Sequence, residues 1–204
     1  MSPAITLVLL RHGRSRADDE GVHEGRYDSP LTDVGRAQVR ARAAAFLAQG
    51  QKPEGIITSP LSRARETGQI LAEALAAPCE ADPDWLEFDN GPLAGVPVAE
   101  AERRFPPPAV RNPYDAFWGT GESEWDFAQR AGRAVQRLVR RGPGLYLVAA
   151  HGGILNAALR HILGAPPPVN GQGVWFAFGD TGYARVIYRP DRHTWLLKEF
   201  QPAE

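Results

Sequence analysis

The apolar segment at residues 5–10 ends abruptly at Arg11-His12-Gly13, and this feature constrains the fold more than any other. The segment is short and rich in aliphatic side chains, as expected of a buried parallel strand. A strand that ends in a glycine-containing turn presents the next side chains at the carboxyl edge of the sheet, where open α/β folds bind their ligands. Here those side chains are an arginine, whose planar guanidinium suits phosphate, and a histidine, which can act as a nucleophile or an acid–base group.

A second unit of the same kind lies late in the chain. Residues 145–150 form another apolar segment, and His151-Gly152-Gly153 follows it directly. Because the carboxyl ends of parallel strands share one edge of a sheet, the two units predict that His12 and His151 meet there. The segment after the first unit, residues 13–30, is polar and is predicted to be an active-site loop.

Alternation of strand and helix patterns predicts a single three-layer α/β domain with a mostly parallel central sheet and helices on both faces. The 204 residues fit one domain over 1–204, with a lid-like insertion at about 96–122. Other predicted strands are 55–58 and an antiparallel tail at 174–178, 183–188 and 194–200. That tail could form an edge that pairs in a homodimer, which the sequence leaves open.

Helix boundaries follow from capping residues. Thr32 is a predicted N-cap, and Gly50 is the predicted stop of that helix. Ser59, followed by proline, predicts the start of the next helix, whose first turn contains Arg63. An arginine at the positive end of a helix is electrostatically unfavourable, so Arg63 is predicted to face an anion beside Arg11.

Composition argues against several classes of protein. The net charge of −1 gives no overall bias toward nucleic acid. No apolar segment approaches the roughly 20 residues of a membrane span, and residues 1–6 do not resemble a signal peptide. The single cysteine, Cys79, excludes an internal disulfide. We therefore expect a soluble cytoplasmic protein without nucleic-acid or membrane partners.

Glu87 adds a carboxylic acid to these histidines and arginines. It lies between Leu86 and Phe88, and an apolar setting raises the pKa of a carboxyl group so that it can act as an acid. An exposed strand residue is the alternative interpretation. The chain has no phosphate-binding glycine-rich loop with lysine and no nucleophilic serine elbow. Two histidines, two arginines and a glutamate suit phosphoryl transfer through a phosphohistidine.

These residues lie in motifs that resemble those of the histidine phosphatase superfamily, in its phosphoglycerate mutase-like branch. Leu10-Arg11-His12-Gly13, with Ser15, is similar to the first motif of that family. Similar blocks follow in family order at 28–38, 59–67, 86–91, 121–130 and 151–154. The resemblance implies the phosphoglycerate mutase-like fold.

The resemblance also implies roles for individual residues. His12 would be the nucleophile that becomes phosphorylated, and Glu87 would be the general acid and later the base that activates water. The dipole of a nearby helix N-terminus would help to bind phosphate. The implied phosphate-binding residues are Arg11, Arg63, His151, Ser15 and Asp18. The candidate substrate-binding residues are Arg14, Arg26 and Tyr27. No metal and no cofactor are implied, and the implied partner is a small phosphorylated metabolite.

Asp18 departs from the family pattern, which often has asparagine there. A carboxylate would oppose a phosphate dianion unless Arg14 or Arg26 neutralises it. The compact chain favours a phosphomonoesterase over a mutase, because a mutase needs a larger closed lid to keep water off the phosphohistidine. A non-catalytic phosphoester-binding protein is a third interpretation, and only Asp18 supports it.

Overall fold

The computed structural model describes residues 4–168 and 173–203. Its strands are β1 (Ile5–Arg11), β2 (Gly55–Thr58), β3 (Cys79–Ala81), β4 (Gly144–Ala150), β5 (Tyr183–Arg189) and β6 (Thr194–Gln201). Within the described residues they form one sheet in the order β3-β2-β4-β1-β5-β6. The strands β1 to β4 are parallel, whereas β5 and β6 are antiparallel to their neighbours. The predicted mostly parallel sheet is confirmed.

The strands β1 and β4 are neighbours at the centre of this sheet. Leu10 pairs with Ala149 and Arg11 with Ala150, so the two strands end at the same level. The backbone N–H of His12 donates to the Ala150 carbonyl at 2.9 Å. The predicted meeting of the two strand ends is confirmed, since His12 and His151 follow them directly.

Helices cover both faces of the sheet. They are α1 (Arg16–Glu20), α2 (Asp33–Ala48), α3 (Ser62–Leu75), α4 (Val98–Arg104), α5 (Glu124–Val139) and α6 (Gly152–Leu163). Leu7 and Leu9 pack in the cluster that α5 and α6 cover, whereas Val8 and Leu10 pack in the cluster under α2 and α3. Burial on both faces explains why β1 is apolar at successive positions. No helix in the described parts of the chain is long and apolar enough to cross a bilayer.

One predicted helix start is confirmed and another is wrong. The Thr32 hydroxyl oxygen accepts a hydrogen bond from the Gly35 N–H at 3.0 Å and caps α2. The helix α3 begins at Ser62 rather than directly after Ser59. An Asp28 carboxylate oxygen accepts both the N–H and the hydroxyl of Ser62, each at 2.7 Å, so a distant loop residue supplies the cap.

The segment 13–30 is not entirely a loop, because Ser15 starts the short helix α1. The Ser15 hydroxyl accepts from the Asp18 N–H at 3.3 Å, and the Asp18 carboxylate accepts from the Ser15 N–H at 2.8 Å. Each side chain therefore satisfies the backbone of the other, as in a capping box. The aspartate stabilises this turn at the entrance to the loop.

The predicted strand at 174–178 is wrong, since this segment has no strand partner among the described residues. The backbone of Phe176 instead bonds the Asn156 side chain, donating at 2.7 Å and accepting at 2.9 Å. One buried amide thus satisfies the groups that a strand ladder would satisfy.

The predicted insertion at 96–122 contains α4 followed by turns. Leu93, Val96 and Ala101 form a small buried cluster against which Phe117 and Trp118 pack. The segment therefore has its own apolar support. Its action as a lid stays a prediction.

Candidate active site

His12 lies buried at the carboxyl edge of the sheet, between α3 and the end of β4. Its Nδ1 is 2.7 Å from the Gly13 carbonyl oxygen, which can only accept a hydrogen bond. The proton of the neutral ring is therefore assigned to Nδ1. The Arg63 Nε–H donates to Nε2 at 3.1 Å. The single Nε2 lone pair, which a nucleophilic imidazole requires, therefore accepts the hydrogen bond from Arg63.

Arg63 is the second residue of α3 and is fully buried. Its Nη1 donates to the Tyr27 carbonyl at 2.8 Å, and its Nη2 donates to the Gly25 carbonyl at 2.9 Å. The loop backbone thus holds the guanidinium rigidly, with Nε turned to His12. The prediction that Arg63 lies near Arg11 at the sheet edge fits this placement.

His151 lies beside His12, with ring centroids 5.1 Å apart. Its Nε2 is 2.8 Å from the Ser59 hydroxyl, and that hydroxyl also accepts from the Leu61 N–H at 3.3 Å. When the Ser59 hydroxyl donates to Nε2, the ring proton lies on Nδ1. The buried Nδ1 has no hydrogen-bond partner in the described part of the chain.

His151 is neutral. Burial lowers the pKa of this imidazole well below its ordinary value, and the positive charge of Arg63 lowers it further, as does a proton on His12 when it is present. A neutral ring with a free Nδ1–H is a hydrogen-bond donor of the kind that a phosphoryl oxygen needs.

Glu87 is held at the N-terminus of α6. Its Oε1 accepts from the Phe88 N–H at 2.7 Å and the Ile154 N–H at 3.0 Å, and its Oε2 accepts from the Gly153 N–H at 2.8 Å. Burial raises the pKa of this carboxyl group despite the opposing backbone N–H groups and Arg63. The alternative interpretation of Glu87 as an exposed strand residue is wrong. The N-terminus of α6 binds the Glu87 carboxylate in this structure.

Arg130 fixes the loop that carries Glu87. Its Nη1 donates to the carbonyls of Asp84 and Leu86 at 2.9 and 2.7 Å, and its Nη2 donates to the Glu87 carbonyl at 3.2 Å. The guanidinium also forms a bidentate pair with Glu122, at 2.8 and 2.7 Å. A charge-assisted network of this kind positions the Glu87 side chain from outside the reacting centre.

Glu24 is a site residue that the sequence analysis missed. Its Oε1 accepts from the Ser15 hydroxyl at 2.5 Å and lies 3.4 Å from the Arg63 Nε, and its Oε2 lies 3.7 Å from the His12 Nε2. Burial opposes its ionisation, but a proton on His12, the charge of Arg63 and the hydrogen bond from Ser15 hold the pKa of this carboxyl well below its usual range. An ionised carboxylate therefore faces the nucleophile.

The model of the histidine phosphatase superfamily (branch 1) matches residues 7–199. The chain belongs to the histidine phosphatase superfamily. The site geometry agrees with this membership. It contains two histidines, two arginines and a glutamate at one sheet edge, and these residues lie in the motifs of that family.

Relatives of this superfamily member are named for different activities. The chain is 35% identical over 161 residues to a 2,3-bisphosphoglycerate-dependent phosphoglycerate mutase of Methylobacterium sp. (strain 4-46), covering 74% of this chain and 77% of the relative. It is 34% identical over 173 residues to a "bifunctional protein" of Mycobacterium tuberculosis (strain ATCC 25618 / H37Rv), covering 83% of this chain. It spans 46% of that relative, which is about half its length.

Solved structures agree on the fold. A mycobacterial glucosyl-3-phosphoglycerate phosphatase in complex with VO3 superposes with a TM-score of 0.80 at 26% identity, covering 97% of this chain and 99% of that one. The histidine phosphatase fold is therefore shared over nearly the whole chain.

Asp18 in this histidine phosphatase is neutralised differently from the prediction. Neither Arg14 nor Arg26 pairs with it. The Arg11 Nη2 lies 3.5 Å from the Asp18 Oδ1, and the Ser15 N–H donates to Oδ2 at 2.8 Å. Ser15 and Asp18, two of the five predicted phosphate-binding residues, therefore have side chains that are bonded to other protein groups.

The three candidate substrate-binding residues are engaged in different ways. Arg14 pairs with Asp19 at 2.6 Å on a partly exposed surface. Arg26 pairs with Asp89 at 3.0 Å and lies beside the loop that carries Glu87. Tyr27 uses its carbonyl to bind Arg63. Their contacts with substrate stay a prediction.

Proposed function

We propose that the protein is a metal-independent phosphomonoesterase that acts through a phosphohistidine on a phosphorylated metabolite. The observation that carries this proposal is the pairing of a His12 Nε2 lone pair, oriented by Arg63, with a buried Glu87 whose pKa is raised. A nucleophile and a general acid at one sheet edge are the two groups that cleavage of a phosphate ester needs.

In the first step the His12 Nε2 attacks phosphorus. An N–P bond forms while the P–O ester bond breaks, and Glu87 donates its proton to the departing alcohol oxygen. Arg11, the Arg63 Nε–H and the His151 Nδ1–H would hold the non-bridging oxygens, on which negative charge is spread. Glu87 ends this step as a carboxylate.

In the second step water attacks the phosphohistidine. The Glu87 carboxylate accepts a proton from water, the new P–O bond forms, and the N–P bond breaks with its electron pair returning to Nε2. Inorganic phosphate leaves, and both His12 and Glu87 recover their starting states.

Two observations support hydrolysis over the alternatives. A mutase must retain a phosphohistidine until a second substrate arrives, and an ionised Glu24 at 3.7 Å from the His12 Nε2 works against retention of phosphate. A non-catalytic binder was suggested by Asp18, but Arg11 pairs with that carboxylate. The phosphoglycerate mutase among the relatives keeps phosphotransfer as the second candidate.

The test is hydrolysis of 4-nitrophenyl phosphate in the presence of EDTA by the wild type and by H12A. We expect phosphate release that is lost in H12A, together with an acid-labile phosphorylated His12 detected by mass spectrometry after rapid quenching. H193N, which changes an exposed histidine on the β5–β6 turn, is the matched control. Phosphate exchange between monophosphoglycerates with little release of phosphate would favour the mutase, and phosphate binding without phosphohistidine would favour the binder.

A further inference from the structure

A cleft of about 730 Å³ begins beside Glu87. Its wall includes Phe88 and Gly153, the two residues whose N–H groups hold opposite oxygens of the Glu87 carboxylate. It also includes His23, which precedes Glu24 in the chain. The cleft therefore reaches the backbone that holds the Glu87 carboxylate, the group that gives its proton to the alcohol oxygen in the proposed function.

Aromatic rings form the inner wall of this cleft. Phe88 packs edge-to-face against Phe117 and Phe127, with ring centroids 5.4 and 5.1 Å apart. Trp125 and Trp175 line the outer part and are largely exposed. We call this feature, lined by Phe88, Phe117, Trp125, Phe127 and Trp175, the aromatic cleft.

The charged side chains of the aromatic cleft do not remove its apolar character. The Arg111 guanidinium lies 4.2 Å from the centroid of the Phe117 ring, and that of Arg160 lies 5.5 Å from the centroid of the Trp175 ring. Burial raises the pKa of Glu124, which lies in the same wall, although these two arginines oppose the shift. Arg111 and Arg160 are thus stacked on ring faces, and Arg133, which also lines the cleft, lies 3.7 Å from an Asp84 carboxylate oxygen.

The size and lining of the cleft select a class of leaving group. Clefts of about 300–1,000 Å³ enclose drug-sized molecules. A short polar alcohol would fill a small part of it and leave the rings in water, whereas a bulky apolar group would bury them. Resting on the proposed function, we propose that the substrate is a phosphomonoester of a bulky, largely aromatic or apolar alcohol, which occupies the aromatic cleft.

The first test compares 2-naphthyl phosphate with phenyl phosphate. The two phenols have similar acidity, so the esters differ mainly in apolar surface. We expect kcat/KM to be at least tenfold higher for the naphthyl ester, equivalent to about 1.4 kcal/mol. A ratio near one would overturn the proposal.

Variants then test whether the aromatic cleft causes the preference. Ala128 lies on α5 and lines the cleft. A128F should fill the space and reduce the naphthyl-to-phenyl ratio to near one. W125A removes a largely exposed ring and should lower the ratio without disturbing the core. A44F makes the A128F change on the exposed side of α2, away from the cleft, and should keep the wild-type ratio. A wild-type naphthyl-to-phenyl ratio in both A128F and W125A would overturn the proposal.

A binding measurement separates this proposal from the proposed function. Naphthalen-2-ylmethylphosphonate and benzylphosphonate cannot be hydrolysed, and calorimetric titration of the full chain gives their affinities. We expect the naphthyl compound to bind at least tenfold more tightly, with the difference lost in A128F. If no ester is hydrolysed while this difference is found, the phosphatase activity is wrong and the aromatic cleft is retained. If the esters are hydrolysed while the two phosphonates bind equally tightly, the phosphatase activity is retained and the role of the aromatic cleft is wrong.

Discussion

At the scale of single residues, Glu24 places a negative charge where the phosphoryl group must approach His12. Its oxygens already occupy partners that phosphate would use, the Ser15 hydroxyl and the Arg63 Nε. Two charges about 4 Å apart interact by roughly 4 kcal/mol at the effective dielectric of a protein surface. Substrate phosphate must therefore displace this carboxylate or bind against it.

The variant E24Q keeps the shape of the side chain and removes its charge. We expect it to bind inorganic phosphate and vanadate roughly ten- to a hundredfold more tightly, because the repulsion beside the His12 Nε2 is removed. Inhibition constants against 4-nitrophenyl phosphate measure this. E20Q, on the exposed end of α1, makes the same change away from the site and should leave both constants unchanged. Weaker phosphate binding in E24Q would show that Glu24 helps to hold the anion.

Glu87 is the second residue whose charge state decides activity. Loss of a general acid typically costs about 10²–10⁴-fold in rate. In E87Q we expect a loss of this size for phenyl phosphate but a much smaller loss in phosphorylation of His12 by 4-nitrophenyl phosphate, because nitrophenolate departs without a proton. Rapid-quench measurement of phosphorylated protein gives the rate of His12 phosphorylation with each ester. The surface variant E73Q should match the wild type, and equal losses for both esters would contradict the assignment.

The pH dependence of Glu87 follows from the direction of its shift. Burial raises the pKa of its carboxyl group, so the proton persists to higher pH than in a free glutamate. The rate with phenyl phosphate should fall as pH rises through that pKa, since the acid is then ionised. E87Q should lack this fall.

The sequence predicted Glu87 but not Glu24, and the reason is local. Glu87 is flanked by Leu86 and Phe88, so its burial was indicated by its neighbours in the chain. Glu24 lies between a histidine and a glycine in a polar segment. Its significance comes from Ser15 and Arg63, which other parts of the chain bring to it.

At the scale of elements, the boundaries that depend on neighbouring residues were predictable and those that depend on distant ones were not. Thr32 caps the helix that follows it directly, whereas α3 is capped by Asp28, from a loop more than thirty residues earlier. The alternation of Val174, Phe176 and Phe178 is typical of a strand. The Asn156 side chain nevertheless takes the hydrogen bonds that a strand would form.

The contact between α2 and the loop after β1 is an element-scale feature with a testable consequence. A Cβ added at Gly35 would lie 2.1 Å from the Arg14 carbonyl oxygen, which is backbone and cannot move aside cheaply. We expect G35A to destabilise the protein by about 1–3 kcal/mol and to reduce activity, because the loop that carries His12 must shift. Urea denaturation and turnover of 4-nitrophenyl phosphate measure the two effects.

G55A is the matched control for this prediction. A Cβ at Gly55 on β2 would meet the Tyr146 ring at 3.9 Å, an ordinary contact. Equal stability of G35A and G55A would contradict the proposed role of the close approach between α2 and the loop.

At the scale of the whole molecule, the site depends on two strands that are distant in sequence and adjacent in the sheet. The sequence predicted that the ends of β1 and β4 share an edge, because all parallel strands end on one side. It did not predict that they pair directly, with Arg11 opposite Ala150. That adjacency brings the His12 and His151 rings to 5.1 Å and buries both imidazoles in one core.

This burial links the stability of the whole fold to pH. The pKa of His151 lies well below its ordinary value because of burial and the charge of Arg63. Below about pH 6.5 the unfolded chain binds a proton on this imidazole and the native chain does not. The free energy of unfolding should therefore fall as the pH is lowered, by up to about 1.4 kcal/mol per pH unit from this group.

Urea denaturation of matched variants between pH 7 and pH 5 tests this linkage. H151N should lose the slope that His151 contributes, whereas H193N, on the exposed turn, should keep the slope of the wild type. Glu24 works in a separate window: its pKa is held below the usual range, so the stability that it adds is present above about pH 4.5 and is lost only below that value. An unchanged slope in H151N between pH 7 and pH 5 would mean that the native chain protonates this ring, and that its burial beside His12 and Arg63 does not keep it neutral.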